Sequence, residues 1–283
     1  MKQAILYRAR KVEPVVQREV GRLCADLPEV SVFVVCYHPE FRSDVDSIPG
    51  SLYLYGQRDL HRLPYPNKLC QVDWDNPTRR PNGPEQSERF LLAMEYGHQD
   101  LPVLKFFLDH PEFEHYWLIE DDVRWSGSWA DIFAELSNSS ADLLATAVQN
   151  YSEEPGWYWW KHVETGTETL PIRLRVKGFF PFCRLSRAFL GAVDQKYRQG
   201  WGGHYEVSWP SIARCSTLSI EDIGGHGTFT PPERRGRFYT CTTGTPYLFP
   251  GTFVYRPAFR DTGVSEFGKG VTPDCMLWHP VKT

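Results

Sequence analysis

The sequence predicts an α/β protein built around one mostly parallel sheet. Residues 4–9 (AILYRA) predict a short strand, residues 13–27 carry apolar side chains at helical spacing, and residues 30–37 (VSVFVVCY) form a continuous β-branched and aromatic run. A strand that is apolar throughout is buried on both faces, and the order strand, helix, strand is the βαβ unit of a parallel sheet. These segments therefore predict a Rossmann-like central sheet flanked by helices.

The later elements continue this alternation as far as residue 222. The predicted strands are 51–56, 115–122, 141–149, the first part of 174–199, and 217–222. The predicted helices are 85–97, one that begins after an N-cap at Asp100, 127–137, the second part of 174–199, and 207–214. Pro, Asn, Gly and aromatic stretches predict an irregular segment at 61–84, a loop at 151–166 and a tight turn at 200–206. From residue 224 we expect an irregular C-terminal segment with short strands such as 251–256.

Length and composition favour a single ordinary domain. The chain has 283 residues, and one α/β domain of that size is common. The formal net charge is −4, so nothing suggests nucleic-acid binding. The seven cysteines are scattered without C-x-x-C spacing, which argues against a structural zinc site or a disulfide framework. No apolar run resembles a signal peptide or a membrane span, so we expect a cytoplasmic protein without a transmembrane segment.

Two common nucleotide-binding motifs are missing. The first predicted strand runs into YRARKVEP (7–14) rather than G-x-G-x-x-G, and the phosphate loop G-x-x-x-x-G-K-[ST] does not occur. These absences weigh against a standard dehydrogenase or a P-loop NTPase. Aromatic residues reach 14%, with ten tryptophans, and such side chains either fill cores or stack on sugar rings and bases.

Three consecutive carboxylates end the central strand. Glu120, Asp121 and Asp122 follow a hydrophobic run directly, at the carboxyl end of a strand, where open α/β sheets bind ligands. Mg²⁺ and Mn²⁺ prefer carboxylate and phosphate oxygens, so a divalent ion shared with a diphosphate would neutralise the cluster. Alternation along a strand puts Glu120 and Asp122 on one face. We expect Asp122 to bind the metal directly and Glu120 to reach it through water or to contact a sugar, with simple loop capping as the alternative.

This arrangement resembles the nucleotide-sugar glycosyltransferases of the GT-A fold, in which a hydrophobic strand within a βαβ sheet ends in a D-x-D-type motif. Here the motif reads Glu120-Asp121-Asp122. The resemblance implies a GT-A-like single domain spanning 1–283, in which about residues 1–125 bind the nucleotide-sugar donor and about residues 126–283 bind the acceptor. It also implies that the acidic motif holds Mg²⁺ or Mn²⁺ against the donor's diphosphate.

A second segment carries the same resemblance. Residues 200–206 (GWGGHYE), followed by a predicted helix, are similar to the W-G-G-E-D stretch of several inverting GT-A enzymes. In those enzymes an acid at the helix start acts as the base beneath the acceptor. The resemblance implies that Glu206 is the catalytic base and that Trp201 and His204 contact substrate. A helix N-terminus lowers a carboxyl pKa and burial opposes this, while first-turn capping is the alternative role for Glu206.

The tail MLWHPVK (276–282) carries the third part of the resemblance. GT-A enzymes commonly place a late histidine on the metal and late basic residues on the diphosphate. This implies that His279 is a metal ligand, which suits a neutral imidazole beside carboxylates, and that Lys282 binds the diphosphate. His226 in EDIGGHG (221–227) is the competing histidine, because it follows a predicted strand and its glycines would let the backbone approach a ligand closely.

Further charged residues are candidates for binding the donor. Arg8 and Lys11 follow the first strand, where the family holds the nucleotide, and arginine matches phosphate bidentately; a solvated helix entry is the alternative. Asp121 and Asp100 are candidate contacts to the nucleotide or sugar, with helix capping as the alternative for Asp100.

An aromatic segment is the candidate acceptor surface. In GWYWWKHV (156–163), Trp157, Trp159 and Trp160 would stack on an acceptor glycan, form a buried hairpin, or make a membrane-edge patch. The arginines of PPERRGRF (231–238) would close over a diphosphate as a lid or remain solvated.

These features together predict a divalent-metal-dependent, inverting glycosyltransferase. It would move a sugar from a nucleoside-diphosphate donor to a glycan or glycolipid acceptor, in surface polysaccharide synthesis, with peripheral contact at the inner face of the membrane. One alternative is a metal-dependent nucleotidyltransferase or phosphohydrolase that uses the same carboxylates. The other is a non-catalytic glycan-binding protein, which would need the tryptophans but not the acids.

Overall fold

The apolar strand predicted at 30–37 lies in a seven-stranded mixed sheet. The computed structural model describes residues 2–37, 47–70, 99–240, 251–255, 259–260 and 275–282. The strands of the central sheet are β1 Gln3–Arg8, β2 Ser31–Tyr37, β3 Ser51–Tyr55, β4 His115–Glu120, β6 Leu143–Asn150, β8 Val176–Ser186 and β10 Ile220–Asp222. The shorter strands are β5 Arg124–Trp125, β7 Val163–Thr165, β9 Trp201–Gly203, β11 Phe259–Arg260, β12 Leu277–Trp278 and β13 Val281–Lys282.

Helices cover both faces of this sheet. The helices of the described residues are α1 Pro14–Asp26, α2 Gln57–His61, α3 Pro66–Cys70, α4 Asp100–Asp109, α5 Trp129–Ser137, α6 Arg187–Arg198 and α7 Tyr205–Cys215. The starts of two helices follow from N-capping. The hydroxyls of Ser128 and Ser186 accept backbone N–H groups at the N-termini of α5 and α6. None of the described helices has the length and apolar character needed to cross a bilayer.

The strand order places a topological switch point beside the acidic motif. The order is β10-β6-β8-β4-β1-β2-β3, and all neighbours are parallel except β8, which runs antiparallel to β4 and β6. From β1 the chain moves outward through β2 and β3 and then returns to place β4 on the opposite side of β1. Because β1 and β4 are in register, Arg8 and Glu120 lie side by side at their carboxyl ends. Ligands of open α/β sheets bind at such a point.

Two hydrophobic layers enclose the sheet. One layer packs α1 and α5 on one face, and the other packs α4, α6 and α7 on the opposite face. The central strand supplies both layers, since Trp117 and Ile119 belong to the first while Tyr116 and Leu118 belong to the second. The core therefore fixes β4 from both sides and determines where its terminal acids emerge.

The predicted α/β class and mostly parallel sheet are confirmed, and most predicted elements match to within a few residues. Several predictions differ from the structure. The segment predicted to be irregular begins within α2 and includes α3, the predicted turn at 200–206 contains β9, and the predicted loop at 151–166 contains β7. Asp100 is the first residue of α4 with Gln99 as its cap, and the described part of the predicted strand 251–256 forms isolated bridges rather than a strand. β9 pairs antiparallel with β7, so tertiary pairing made a strand from a Gly-rich segment that lacks strand propensity. The predicted helix at 85–97 lies outside the described residues.

Candidate active site

A cleft of about 680 Å³ opens at the switch point. Its lining comes from the carboxyl ends of β1 and β4, from β8, from the start of α7 and from the chain tail. Segments that are far apart in sequence therefore meet in one concave site, as is usual for ligand sites.

The turn after β4 separates the three acids. Val123 donates its backbone N–H to the Glu120 carbonyl at 3.0 Å, and Arg124 Nη1 donates to the Asp121 carbonyl at 2.7 Å. The Asp121 side chain accepts the backbone N–H of Arg10 at 3.4 Å, so it also ties the turn to the loop after β1. The Glu120 and Asp122 side chains instead lie close to each other, as strand alternation predicts.

Glu120 and Asp122 form a compact cluster with His279. One ligand atom from each of the three residues lies within 4.8 Å of the others. His279 Nε2 is 3.2 Å from Asp122 Oδ1 and 3.7 Å from Glu120 Oε2. The tail reaches this position because Val281 donates its N–H to the Asp122 carbonyl at 2.8 Å and β12 pairs with β5.

The hydrogen bonds of His279 show that the cluster fits a cation. Nδ1 lies 2.8 Å from the Val254 carbonyl, which can only accept, so Nδ1 carries a proton. In the neutral ring Nε2 presents a lone pair to Asp122 Oδ1 at 3.2 Å, whereas in the protonated ring Nε2–H donates to that oxygen. Two acceptors that face each other need a proton or a metal ion between them. Two carboxylates and an imidazole, oriented by a backbone carbonyl, suit Mn²⁺ or Mg²⁺.

The pKa values in the cluster agree with this demand for positive charge. Burial alone would lower the pKa of His279, but hydrogen bonds to Asp122 and Glu120 and their charges raise it to about 9. Burial would raise the pKa of Asp122, but His279 and Lys282 together hold it below its usual range. Asp121 is different, since burial and then the charges of Asp122 and Glu120 raise its pKa to about 6.

Two of the three predicted basic contacts line the cleft. Lys282 forms an ion pair with Asp122, and Arg8 Nη1 lies 3.9 Å from Glu120 Oε1. Lys11 is exposed and is not part of the lining. The sequence did not single out Arg124, which also lines the cleft and is buried beneath the acidic turn.

Asp100 lies away from the cleft lining, in a buried polar network. Its carboxylate is 2.9 Å from Lys68 Nζ and accepts the Tyr197 hydroxyl at 2.5 Å. Lys68 also donates to the Gly203 carbonyl at 2.5 Å. This network therefore supports β9, the strand that leads into Glu206.

Glu206 lies at the head of α7 and lines the cleft. The His204 ring caps this helix by accepting the Glu206 N–H at 3.3 Å. The Glu206 side chain is 17% exposed. Burial, and then the charge of Glu120, raise its pKa to about 8, although Lys177 and His279 oppose the rise. A carboxyl group with a raised pKa in a cleft is suited to proton transfer near neutral pH.

The glycines before Glu206 are needed for close packing. Gly203 has φ +88°, and a Cβ there would lie 1.8 Å from the His162 carbonyl oxygen. His204 also donates its N–H to that carbonyl at 2.8 Å. The Gly-rich stretch therefore brings β9 against the aromatic segment and sets the direction of α7.

The aromatic candidates divide into two groups. Trp157 and Trp159 line the cleft, and Trp159, which is 37% exposed, stacks on the His204 ring with centroids 4.3 Å apart. Trp160 and Trp201 are buried and outside the lining, and their indole N–H groups donate to the Glu154 carbonyl and to Glu168. His204 lines the cleft as a neutral ring, because burial and then the charges of Lys68 and His162 lower its pKa to about 3.

His226 lies apart from the acidic cluster. It is exposed and packs near Gly236, and among the described residues the candidate metal group contains His279 instead. The glycines beside His226 allow backbone packing, because a Cβ on Gly224 would lie 2.0 Å from the Arg237 carbonyl oxygen. Asp222 in the same motif accepts the Tyr239 hydroxyl at 2.9 Å, and that hydroxyl accepts the N–H of Ala147, a cleft residue with φ 49°.

Two of the three arginines proposed as a lid are paired with acids instead. Arg234 is buried in an ion pair with Glu221, and Arg237 Nη1 lies 2.8 Å from Glu135. Sequence reasoning missed Lys177, which lines the cleft from β8. The available signal was a pair of charged residues, Arg175 and Lys177, within the otherwise apolar run LRVKGFFPF (174–182).

The fold and site together define a mixed α/β protein with a candidate divalent-cation site and a buried carboxyl group in one switch-point cleft. A family model described as "Protein of unknown function (DUF3405)" matches residues 74–143, which include β4 and the acidic turn. No curated protein matches the chain.

Several solved structures are similar to this chain at low identity. One is the galactosyltransferase LgtC in complex with donor and acceptor sugar analogs (9% identity, TM-score 0.41, 97% of this chain and 85% of that chain). Another is core-mannan synthase A from Aspergillus fumigatus in its Mn/GDP form (11%, 0.34, 88% and 81%). A third is the inositol-1-phosphate CTP transferase from T. maritima (11%, 0.33, 82% and 90%).

Proposed function

We propose that the protein is a divalent-metal-dependent glycosyltransferase. It transfers a sugar from a nucleoside-diphosphate donor to a hydroxyl of a glycan or glycolipid acceptor. The observation that carries the proposal is the cluster of Glu120, Asp122 and His279, placed in the same cleft as Glu206. A cation site and a separate carboxyl base are the two groups that this displacement requires.

The donor occupies the end of the cleft at the switch point. Asp122, His279 and Glu120 would hold Mg²⁺ or Mn²⁺, and the bound ion would neutralise charge that develops on the departing diphosphate. Arg8 and Lys282 bind the diphosphate oxygens, because both line the cleft beside the acids. The donor half corresponds to about residues 1–125, and the tail returns to complete it.

The acceptor occupies the end of the cleft beside Glu206. Glu206 removes the proton from an acceptor hydroxyl as that oxygen attacks the anomeric carbon. The new glycosidic bond forms while the bond to the diphosphate breaks, so the anomeric configuration inverts. The exposed face of Trp159 stacks on a sugar ring of the acceptor. The same chemistry suits surface polysaccharide synthesis at the cytoplasmic face of a membrane.

Direct metal binding tests the proposal. Titration of Mn²⁺ into the protein, followed by electron paramagnetic resonance, should show one site that Asp122→Asn abolishes and that Asp131→Asn, an exposed helical control, leaves unchanged. In thermal-shift assays UDP or GDP should stabilise the wild type only with Mn²⁺ present, since a ligand of the folded state raises apparent stability. If Mn²⁺ binding survives Asp122→Asn, the cluster is not the metal site.

Product analysis separates the competing functions. The proposal expects a nucleoside diphosphate from a nucleotide-sugar, whereas a nucleotidyltransferase would release pyrophosphate. A glycan-binding protein would keep its glycan affinity in Asp122→Asn without any metal-dependent turnover.

A further inference from the structure

Lys177 is a cation at the acceptor end of the cleft that the proposed reaction does not use. It extends from the central strand β8 and lines the cleft with Trp157, His204 and Glu206. Its side chain is only 11% exposed, and Nζ lies 5.0 Å from the centroid of the Trp157 ring. A positive charge therefore lies beside an aromatic ring in the half of the cleft that holds the proposed base.

The partner of Lys177 is well placed to be exchanged. Among the described residues its ammonium group, which has three donors, makes one hydrogen bond, to the Glu154 carboxylate. Glu154 lies in the loop before the aromatic segment, is 48% exposed and is not part of the cleft lining. Ion pairs with an exposed partner contribute little to stability, so a ligand carboxylate can displace Glu154 at small cost.

Structural need alone does not explain a lysine at this position. Enclosing an ammonium group carries a large desolvation penalty, and apolar residues of similar volume often replace such pairs without loss of stability. The strand residues on either side of Lys177, Val176 and Gly178 to Cys183, are apolar. The charge of Lys177 therefore lies where a ligand in the cleft would contact it.

We propose that Lys177 binds a carboxylate of an acidic sugar in the acceptor, with the sugar ring packed against Trp157 and Trp159, the tryptophans that line the cleft. This inference rests on the proposed function, which supplies the acceptor. It adds the chemical class of that acceptor, a glycan that contains a uronic acid. The ligand carboxylate takes the place of Glu154 on Lys177.

Direct binding of two matched sugars tests this proposal without donor or metal. Methyl β-glucuronide and methyl β-glucoside differ in a carboxylate, and ligand-observed NMR titrations measure their dissociation constants with the full chain. Wild type should prefer the glucuronide, and Lys177→Met should remove the preference, a loss of about tenfold for one charged hydrogen bond. Lys177→Arg should keep most of it.

Glu154→Gln gives an opposite prediction and changes only a surface loop. Removing the competing carboxylate should strengthen glucuronide binding by about two- to fivefold, the range expected for an exposed ion pair, and leave glucoside binding unchanged. Glu135→Gln is the matched control. Like Glu154, Glu135 is a carboxylate in an ion pair and lies outside the cleft lining, but its partner is Arg237. A purely structural Lys177–Glu154 pair would instead make Glu154→Gln and Lys177→Met weaken both sugars alike.

Three outcomes overturn the inference. One is equal binding of both sugars by wild type, which leaves a transferase with a neutral acceptor intact provided that Mn²⁺ and nucleotide still bind. Another is a glucuronide preference that survives Lys177→Met. If neither sugar binds while Mn²⁺ and nucleotide do, the acidic-sugar class is wrong and the donor half of the proposed function stands.

Discussion

At the two ends of the cleft the pKa values of carboxyl groups shift in opposite directions. At the donor end, His279 and Lys282 outweigh the effect of burial and lower the pKa of Asp122. At the acceptor end, burial and the charge of Glu120 outweigh Lys177 and His279 and raise the pKa of Glu206 to about 8. The neighbours of each group, rather than its chemical type, decide whether it stays charged.

This difference separates two chemical roles within one cavity. A carboxylate that stays ionised among cations attracts a metal ion, whereas a carboxyl group with a raised pKa exchanges a proton near neutral pH. Pairs of acids whose environments move their pKa values apart are typical of active sites. Three substitutions test whether the two ends act as separately as their electrostatics indicate.

The largest expected effect is the loss of the proton acceptor. Glu206→Gln should reduce turnover by roughly 10²- to 10⁴-fold, because an amide cannot take the proton of the acceptor hydroxyl. Mn²⁺ affinity should stay within about twofold of wild type, as for independent sites. Steady-state rates and Mn²⁺ titrations on the same preparation check both statements. Turnover close to wild type would remove Glu206 from the proposed mechanism.

An intermediate effect is expected from the tail histidine. His279→Gln should weaken Mn²⁺ binding by about 10- to 100-fold, since it removes an oriented imidazole from the cluster. His226→Gln is the matched control and should change nothing, because His226 lies apart from the acids. Isothermal titration calorimetry of both variants decides between the two histidines. Equal loss in both would indicate a general effect on folding rather than ligation.

The smallest expected effect is a difference in pH dependence. A raised folded-state pKa gives stability that is fully present below the unfolded value of 4.5 and is lost as pH rises through about 8. Glu206→Gln should therefore gain melting temperature relative to wild type as the pH rises from about 5 to about 9, by a few degrees for a chain of this size.

Asp122 should give the contrasting profile in the same assay. Its pKa is lowered, so its stabilising effect is already complete well above the usual value of 3.8. The melting-temperature difference between Asp122→Asn and wild type should thus stay constant between about pH 5 and about pH 6, below the ordinary pKa of 6.5 of His279, whose raised pKa depends on Asp122. Parallel slopes for the two variants would contradict the opposite pKa shifts. Both series are run with chelator so that metal binding does not contribute.

Much of the fold was predictable because its signals are local. The apolar run of β2, the helical spacing of α1 and the hydrophobic β4 before three acids each occupy one short window of sequence. Alternation along β4 also placed Glu120 and Asp122 together, which the cluster confirms. By contrast, β9 is a strand only because it pairs with β7, and no local pattern in GWGGHYE indicates that partner.

The candidate site was predictable only in part. The acids, Glu206 and the tail histidine came from motifs, while Lys177 was missed because a charged residue within a mostly apolar strand has no fixed meaning. The sequence does not distinguish the buried Trp160 and Trp201 from Trp157 and Trp159, which line the cleft. Tryptophan is used both in cores and at ligand-binding surfaces. Burial is a property of the packed chain.

The sequence by itself determined the α/β alternation, the acidic end of the central strand and the helix that follows the Gly-rich segment, because periodicity and capping act over a few residues. Only the tertiary structure decided that His279 rather than His226 joins the acids. That choice depends on the pairing of β12 with β5 and on the Val254 carbonyl that orients the ring. Such contacts join distant segments, and their energies depend on the packed geometry rather than on any local pattern.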